Sequence, residues 1–199
     1  MKKQLLSLYI VIGTIASAQS TDRPRFGIKA GGNLSSFTGS DSKSKVGFYA
    51  GVFVNVPIAE TFSIQPEVVY SQQGAKAKDK YLFGAIPVKD IKQILGYINV
   101  PVMVQYNATP KFYLEAGPEF SFLINARAKE NFLGESLSTD NKNLFNAFNF
   151  GVGLGLGYRF TPNLGVNARY IAGISKIVKD DFGDSKNTNM QLGINYSFP

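Results

Sequence analysis

The chain has 199 residues with a formal net charge of +7; 44% of them are hydrophobic and 13% aromatic (16 Phe, 10 Tyr, no Trp), and it contains neither histidine nor cysteine. The lack of both excludes disulfide staples, thiol nucleophiles, histidine-dependent catalysis and the commonest metal-ligand sets. After the first residues, no apolar stretch approaches the about 20 residues that a transmembrane helix needs.

The chain opens with Lys2 and Lys3, continues with an apolar run from Leu5 to Ile15, and reaches Ala16-Ser17-Ala18. That three-part layout predicts a secretory signal peptide over residues 1–18, cleaved after Ala18, and a single domain over 19–199.

From there the pattern has a period of two, which marks strands. Eight runs follow in order. RFGIKAGGNL (25–34) sets Phe26, Ile28 and Ala30 on one face. VGFYAGVFVNV (46–56) groups Val46, Phe48, Ala50, Val52, Val54 and Val56. FSIQPEVVYSQQ (62–73) opposes Phe62, Ile64, Pro66, Val68 and Tyr70 to Ser63, Gln65, Glu67, Ser71 and Gln73. YINVPVMVQY (97–106) aligns Ile98, Val100, Val102, Val104 and Tyr106. FYLEAGPEFSFL (112–123) places Phe112, Leu114, Phe120 and Phe122 against Glu115, Gly117, Glu119 and Ser121. FNFGVGLGLGYRF (148–160) alternates apolar residues with Asn149, four glycines and Arg159. LGVNARYIAGI (164–174) and NTNMQLGINYSFP (187–199) complete the set.

The connections have a period of their own. They are short after the second, fourth and sixth runs (57–61, 107–111, 161–163) and long and polar after the others (35–45, 74–96, 124–147, 175–188). Short turns on one side, long loops on the other and runs near the 9 to 11 residues of a membrane strand together predict an all-β, eight-stranded antiparallel up-and-down transmembrane β-barrel, with its termini on the short-turn, periplasmic side.

A soluble barrel with its apolar face inward shares this alternation. Against it stands the polar face, which is mostly Gly, Asn, Gln and Ser, the composition of a confined lumen. Aromatics also fall in two groups, Phe26, Phe62, Tyr106, Phe112, Tyr158, Phe160 and Phe198 near the short turns and Phe48, Tyr70, Phe122, Phe148 and Tyr170 near the long loops. Two such girdles suit two membrane interfaces.

An eight-stranded barrel is just wide enough for side chains to fill it. Gly151, Gly153, Gly155 and Gly157 are expected to leave room for bulky neighbours such as Tyr49, Tyr97, Tyr113 or an arginine. Charges held away from water need partners, so Glu67, Glu115 and Glu119 are expected to pair with Lys29, Arg159 and Arg169 in a lumen network. Glu115 and Glu119 are about 13 Å apart along a strand, too wide for an acid–base pair. Pro66, Pro101 and Pro118 are expected to mark bulges or bends. Residues 74–96 hold Lys76, Lys78, Lys80, Lys89 and Lys92 against Asp79 and Asp90, a basic surface suited to lipopolysaccharide phosphates or an acidic partner, though a solvated loop is the plainer reading. Asp180, Asp181 and Asp184 lack the spacing of a calcium loop. No catalytic residue, cofactor, metal site or nucleic-acid interface is expected.

FGIKAGGNLSSF, SIQPEVVYSQQGAK, YINVPVMVQY, FYLEAGPEFSFL, NARYIAGISKI and NMQLGINYSF resemble the PorT-like outer-membrane β-barrel family of Bacteroidota. The resemblance implies an outer-membrane barrel with extended surface loops and no single activity; the family's namesake is linked to secretion of proteins across the outer membrane. Leu192, Ile194, Tyr196 and Phe198 resemble the C-terminal signal read by the barrel-assembly machinery, with Pro199 following the usual terminal aromatic. The expectation is therefore a monomeric, non-enzymatic outer-membrane protein, embedded in outer-membrane lipid and acting through its long loops or with envelope protein partners. The alternative is a narrow channel or a binder of small hydrophobic molecules.

Overall fold

The computed structural model describes residues 23–38, 42–77, 80–82, 86–88, 92–132, 135–179 and 185–199. The signal-peptide segment 1–18, the aspartates 180, 181 and 184, and the charged residues 78, 79, 89 and 90 lie outside them.

Among the described residues, eleven strands follow in order: β1 (Arg25–Thr38), β2 (Ser42–Pro57), β3 (Phe62–Ala77), β4 (Lys80–Leu82), β5 (Ile86–Val88), β6 (Lys92–Asn107), β7 (Phe112–Phe132), β8 (Glu135–Asp140), β9 (Phe148–Arg159), β10 (Leu164–Lys176) and β11 (Lys186–Ser197). Eight of them, all but β4, β5 and β8, form one closed antiparallel barrel. Each pairs with its neighbour in the chain, β6 meets β7, and the last strand closes on the first through twelve residue pairs from Gly27–Ser197 to Thr38–Lys186. Closure leaves the ring without a free sheet edge, which a lipid environment requires because it cannot solvate open N–H and C=O groups. Among the described residues no helix is long and apolar enough to cross a membrane, and the helical content is one 3₁₀ turn, Lys142–Leu144.

The apolar positions face outward. Phe26, Leu154 and Leu192 are 60%, 62% and 67% exposed, while Lys29, Asn33, Glu67, Asn99, Gln105 and Arg169 are buried in the lumen. This sidedness is the inverse of a soluble barrel's, because the strands' apolar face meets lipid and their polar face is enclosed. The two aromatic girdles form ring contacts across and along strands. At the short-turn end Phe62 lies 5.3 Å from Tyr106 and Tyr158 5.5 Å from Phe160; at the other end Phe48 lies 5.8 Å from Tyr70 and Phe122 5.5 Å from Phe148.

The short turns are built by threonine and proline. Thr109 Oγ1 accepts from Lys111 N and Phe112 N, and Thr161 Oγ1 accepts from Asn163 N and Leu164 N. Pro110 and Pro162, immediately after each threonine, preset the backbone angle for the reversal.

The long connections are more ordered than the sequence pattern predicts. Strand pairing continues well past the apolar belt: β7 runs for 21 residues, β8 folds back along it, and β4 pairs with β5 in a separate hairpin. Serine, lysine and glutamine pair as readily as valine, but they give no apolar signal, so pattern reading stops at the belt. The prolines also differ from expectation. Pro66–Val102, Pro101–Glu119 and Pro118–Val152 hold the same register as the pairs on either side. Each proline forgoes its ladder donor without shifting its strand. Register shifts lie instead at Ser44–Tyr49, Gly96–Tyr97 and Ala172–Lys176, on the far side of the belt from the short turns.

Candidate functional site

The feature that determines what this barrel can do is its filled lumen. Alternation directs Lys29 (β1), Glu67 (β3), Glu115 (β7) and Arg169 (β10) inward at one height, where they form a neutral quartet. Arg169 donates through Nη1 and Nη2 to the two oxygens of Glu67, at 3.0 and 2.8 Å, and through Nε to Glu115 Oε1 at 2.8 Å. Lys29 Nζ donates to both Glu67 oxygens at 3.1 and 3.0 Å. Gln65 Nε2 donates to Glu67 Oε1 and Gln105 Nε2 to Glu115 Oε2, so amides satisfy the remaining lone pairs. These side chains are essentially inaccessible to solvent. The planar guanidinium suits the task because its fork matches carboxylate geometry.

Two residues expected in this network stand apart from it. Glu119 accepts from Asn99 Nδ2 at 3.0 Å and from Ser121 Oγ at 3.4 Å and forms no ion pair with Lys29, Arg159 or Arg169. It lies four residues further along β7 than Glu115, and Arg169 is already committed to the lower layer. Arg159 donates to Asn107 Oδ1 and Gln105 Oε1 and lies 4.6 Å over the Tyr113 ring, so amides and an aromatic face take the place of a carboxylate.

The glycines of β9 make room for bulky lumen side chains. A Cβ on Gly157 would collide with the Tyr113 ring, one on Gly153 would come within 2.6 Å of Met103 Cε, and one on Gly155 within 2.8 Å of Glu115 Oε1. Tyr49 occupies the corresponding space beside Gly193 in β11. Gly157→Val is therefore expected to cost about 1 to 3 kcal/mol of stability through overpacking. Adding Tyr113→Leu should return most of that loss, read as the urea midpoint of the folded barrel in lipid vesicles.

Above the polar layers an apolar plug crosses the mouth away from the termini. Leu95, Tyr97, Leu123, Ala126 and Phe145 pack together with Phe37 and Val178, drawing on several strands around the ring. Backbone bonds hold the plug in place, Asn146 N to Ile177 O, Lys179 N to Leu144 O and Leu123 N to Ala147 O. Gln93 and Asn141 exchange side-chain amide bonds at 3.0 and 2.8 Å beside it. Phe53, Val69, Met103 and Ile171 also fill the interior. The opposite mouth opens into a vestibule of about 960 Å³ lined by residues including Arg25, Asn55, Phe62, Lys111 and Arg159. It narrows at Gln65, Gln105, Tyr113 and Arg159, beneath the quartet. Among the described residues no group of His, Cys, Asp and Glu is arranged to hold a metal ion.

A closed barrel of eight crossing strands, apolar outside and polar within, agrees with comparison to known families. Residues 17–179 match the model of the outer membrane protein beta-barrel domain. The chain belongs to that family. It is an outer-membrane barrel, and solved structures share its fold. Neisserial surface protein A is 16% identical with a TM-score of 0.57, and the attachment invasion locus protein Ail of Yersinia pestis is 17% identical with a TM-score of 0.52. A major outer membrane protein of Thermus thermophilus is 14% identical with a TM-score of 0.50. Each match covers 89% of this chain and 100% of the other. A search of the curated proteins finds no match.

In this setting Leu192, Ile194, Tyr196 and Phe198 lie at the seam, exposed on the lipid face of β11 and just beyond it. Phe198 N donates to Phe26 O at 2.8 Å, tying the end of the chain to β1.

Proposed function

We propose that this protein is a non-conducting, non-enzymatic outer-membrane barrel whose work is done outside the lipid belt, by the strand extensions and hairpins beyond the plug and by contacts with other envelope proteins. The single observation that carries this reading is the double obstruction of the lumen, by the Lys29–Glu67–Arg169–Glu115 quartet and by the Leu95–Phe145 plug. Solute cannot pass a cross-section filled by side chains that satisfy one another. In this reading the extended strand ends face the cell exterior and the termini the periplasm, the usual orientation of such barrels.

The finer parts of the proposal rest on sequence. Residues 1–18 serve as the export signal, and the final strand, with Leu192, Ile194, Tyr196 and Phe198 on one face, is the segment offered to the barrel-assembly machinery. The likeness of FGIKAGGNLSSF and NMQLGINYSF to PorT-like barrels of Bacteroidota supports a monomer with envelope partners, among them components of a secretion apparatus. The test is conductance. Purified protein in planar bilayers is expected to give no reproducible single-channel steps; reproducible steps from the wild-type protein would overturn the reading in favour of a narrow channel.

A further inference from the structure

The mouth beneath the quartet gathers positive charge that no carboxylate neutralises. Arg25 shares the lumen face of β1 with Lys29 and pairs with Asn55 of β2. Arg159 ends β9 on its lumen face, in phase with Gly155 and Gly157. Lys111 immediately precedes β7, and its carbonyl accepts from Arg159 N at 2.7 Å, which sets the two residues side by side. All three line the vestibule, whose wall holds one acidic residue among the described ones, Glu60 in the turn after β2. The contrast with the quartet is direct. There Lys29 and Arg169 lie on Glu67 and Glu115. Here Arg159 is held by the amide oxygens of Asn107 and Gln105 and by the Tyr113 ring, and among the described residues neither Arg25 nor Lys111 forms an ion pair. Amides hold a guanidinium in place without cancelling its charge.

Arg159 is also fixed before any ligand arrives. It is half-buried and lies 4.6 Å over Tyr113 with both Nη atoms anchored, and its guanidinium keeps further N–H donors for an oxyanion. Amides seal the floor: Asn55 Nδ2 and Arg159 Nη2 both donate to Gln105 Oε1, at 2.9 and 3.4 Å, and the quartet lies beyond. The vestibule is therefore a blind cup that opens along the barrel axis, with lipid kept outside the closed ring of strands. Its 960 Å³ stands at the upper end of small-molecule sites, about 300 to 1,000 Å³. Its cations are spread around the wall, since β10 and β11 separate Arg25 on β1 from Arg159 on β9. A single oxyanion engages part of such an array, whereas a chain bearing several carboxylates engages all of it. Resting on the orientation proposed above, we infer that this vestibule docks an acidic peptide segment of a periplasmic partner, which enters end-on and places carboxylates on Arg159, Lys111 and Arg25. The proposed contact with envelope proteins is thereby assigned to the short-turn mouth, where the segment is tethered and nothing is transported.

The test uses the full chain in detergent and reads the binding of fluorescently labelled hexaglutamate by anisotropy. The wild type is expected to bind it with an affinity that falls as salt rises, and to leave labelled hexaglutamine free. Arg159→Gln should weaken binding by about tenfold or more, the loss of a charge-assisted hydrogen bond. Lys111→Gln, at an exposed position, should weaken it by about two- to fivefold. Both variants are first checked for the heat-dependent gel shift of the folded barrel, and if Arg159→Gln does not fold, Lys111→Gln decides. Wild-type affinity in the folded variants, or equal binding of hexaglutamine, overturns the docking site. Displacement of the peptide by phosphatidylglycerol or by inorganic pyrophosphate as readily as by unlabelled hexaglutamate overturns it in favour of a headgroup or a small-anion site. The orientation is tested separately. Because the chain has no cysteine, an Ala59→Cys variant, in the exposed turn after β2, offers one thiol to a membrane-impermeant reagent. Protection in intact cells with labelling after the outer membrane is opened supports the periplasmic mouth. Labelling in intact cells overturns the orientation and with it the periplasmic occupant, whatever the peptide result. Binding and conductance are read independently, so a conducting wild type would overturn the proposed closure of the lumen without touching the cup.

Discussion

Replacing Arg169 with methionine is expected to lower the unfolding free energy of the barrel by about 3 to 5 kcal/mol, the usual cost of leaving a buried charge without its partner. The size follows from the geometry of the quartet. Within it, Arg169 alone touches both carboxylates, through three hydrogen bonds of 2.8 to 3.0 Å. Without it, Glu67 keeps Lys29, but Glu115 keeps only the amide of Gln105. Two negative charges and one positive charge would then share an enclosure that lipid and protein insulate from water. The compensating change is specific. Glu115→Gln in the Arg169→Met background restores neutrality while retaining an oxygen for Gln105 to donate to, and is expected to recover more than half of the loss. The measurement is the urea dependence of the folded, faster-migrating form on unheated gels after reconstitution in phosphatidylcholine vesicles. An Arg169→Met midpoint within error of wild type, or a double variant no more stable than the single, would show that the quartet does not hold the barrel together.

The quartet was partly legible in the sequence, and the part that was not shows what pattern reading lacks. Alternation assigns Lys29, Glu67, Glu115, Glu119, Arg159 and Arg169 to the inner face because each falls between outward apolar residues. It gives no height around the ring. Height depends on register, which set Glu115 beside Arg169 and left Glu119 with Asn99 and Ser121. Lumen apolar residues were hidden for another reason. Met103 sits within the unbroken apolar run Val100–Val104, and Phe53 between Val52 and Val54, so their phase is masked by their neighbours. The plug was beyond reach because Phe145 and Val178 lie outside the regular strands and join Leu95 in one cluster only after the barrel closes. Lysines show the same thing: Lys76 and Lys92 belong to one basic stretch, but only register sets them opposite each other on β3 and β6. What the sequence carries well is face; what it carries poorly is level.

Face assignment has its own decisive experiment. Leu154→Arg is expected to destabilise the folded barrel by about 2 to 4 kcal/mol in lipid vesicles, the cost of a cation on the lipid face near the bilayer midplane. Leu154 lies between the Phe148 and Tyr158 girdle positions of β9, points outward, and pairs with Ala116 and Tyr170, neither of which carries a charge. An arginine there must either leave its guanidinium in hydrocarbon or extend several ångströms toward a headgroup. The matched control is Phe160→Arg at the short-turn interface, where the cost falls to about 0 to 1 kcal/mol because the cation reaches water and phosphate. The contrast between the two positions is the informative quantity. A barrel in water, with these same side chains exposed, would tolerate both substitutions within about 0.5 kcal/mol, whereas in a membrane the penalty tracks depth. Equal effects at Leu154 and Phe160 would mean that the apolar belt does not meet lipid, and the filled lumen would then have to be understood as the core of a soluble protein.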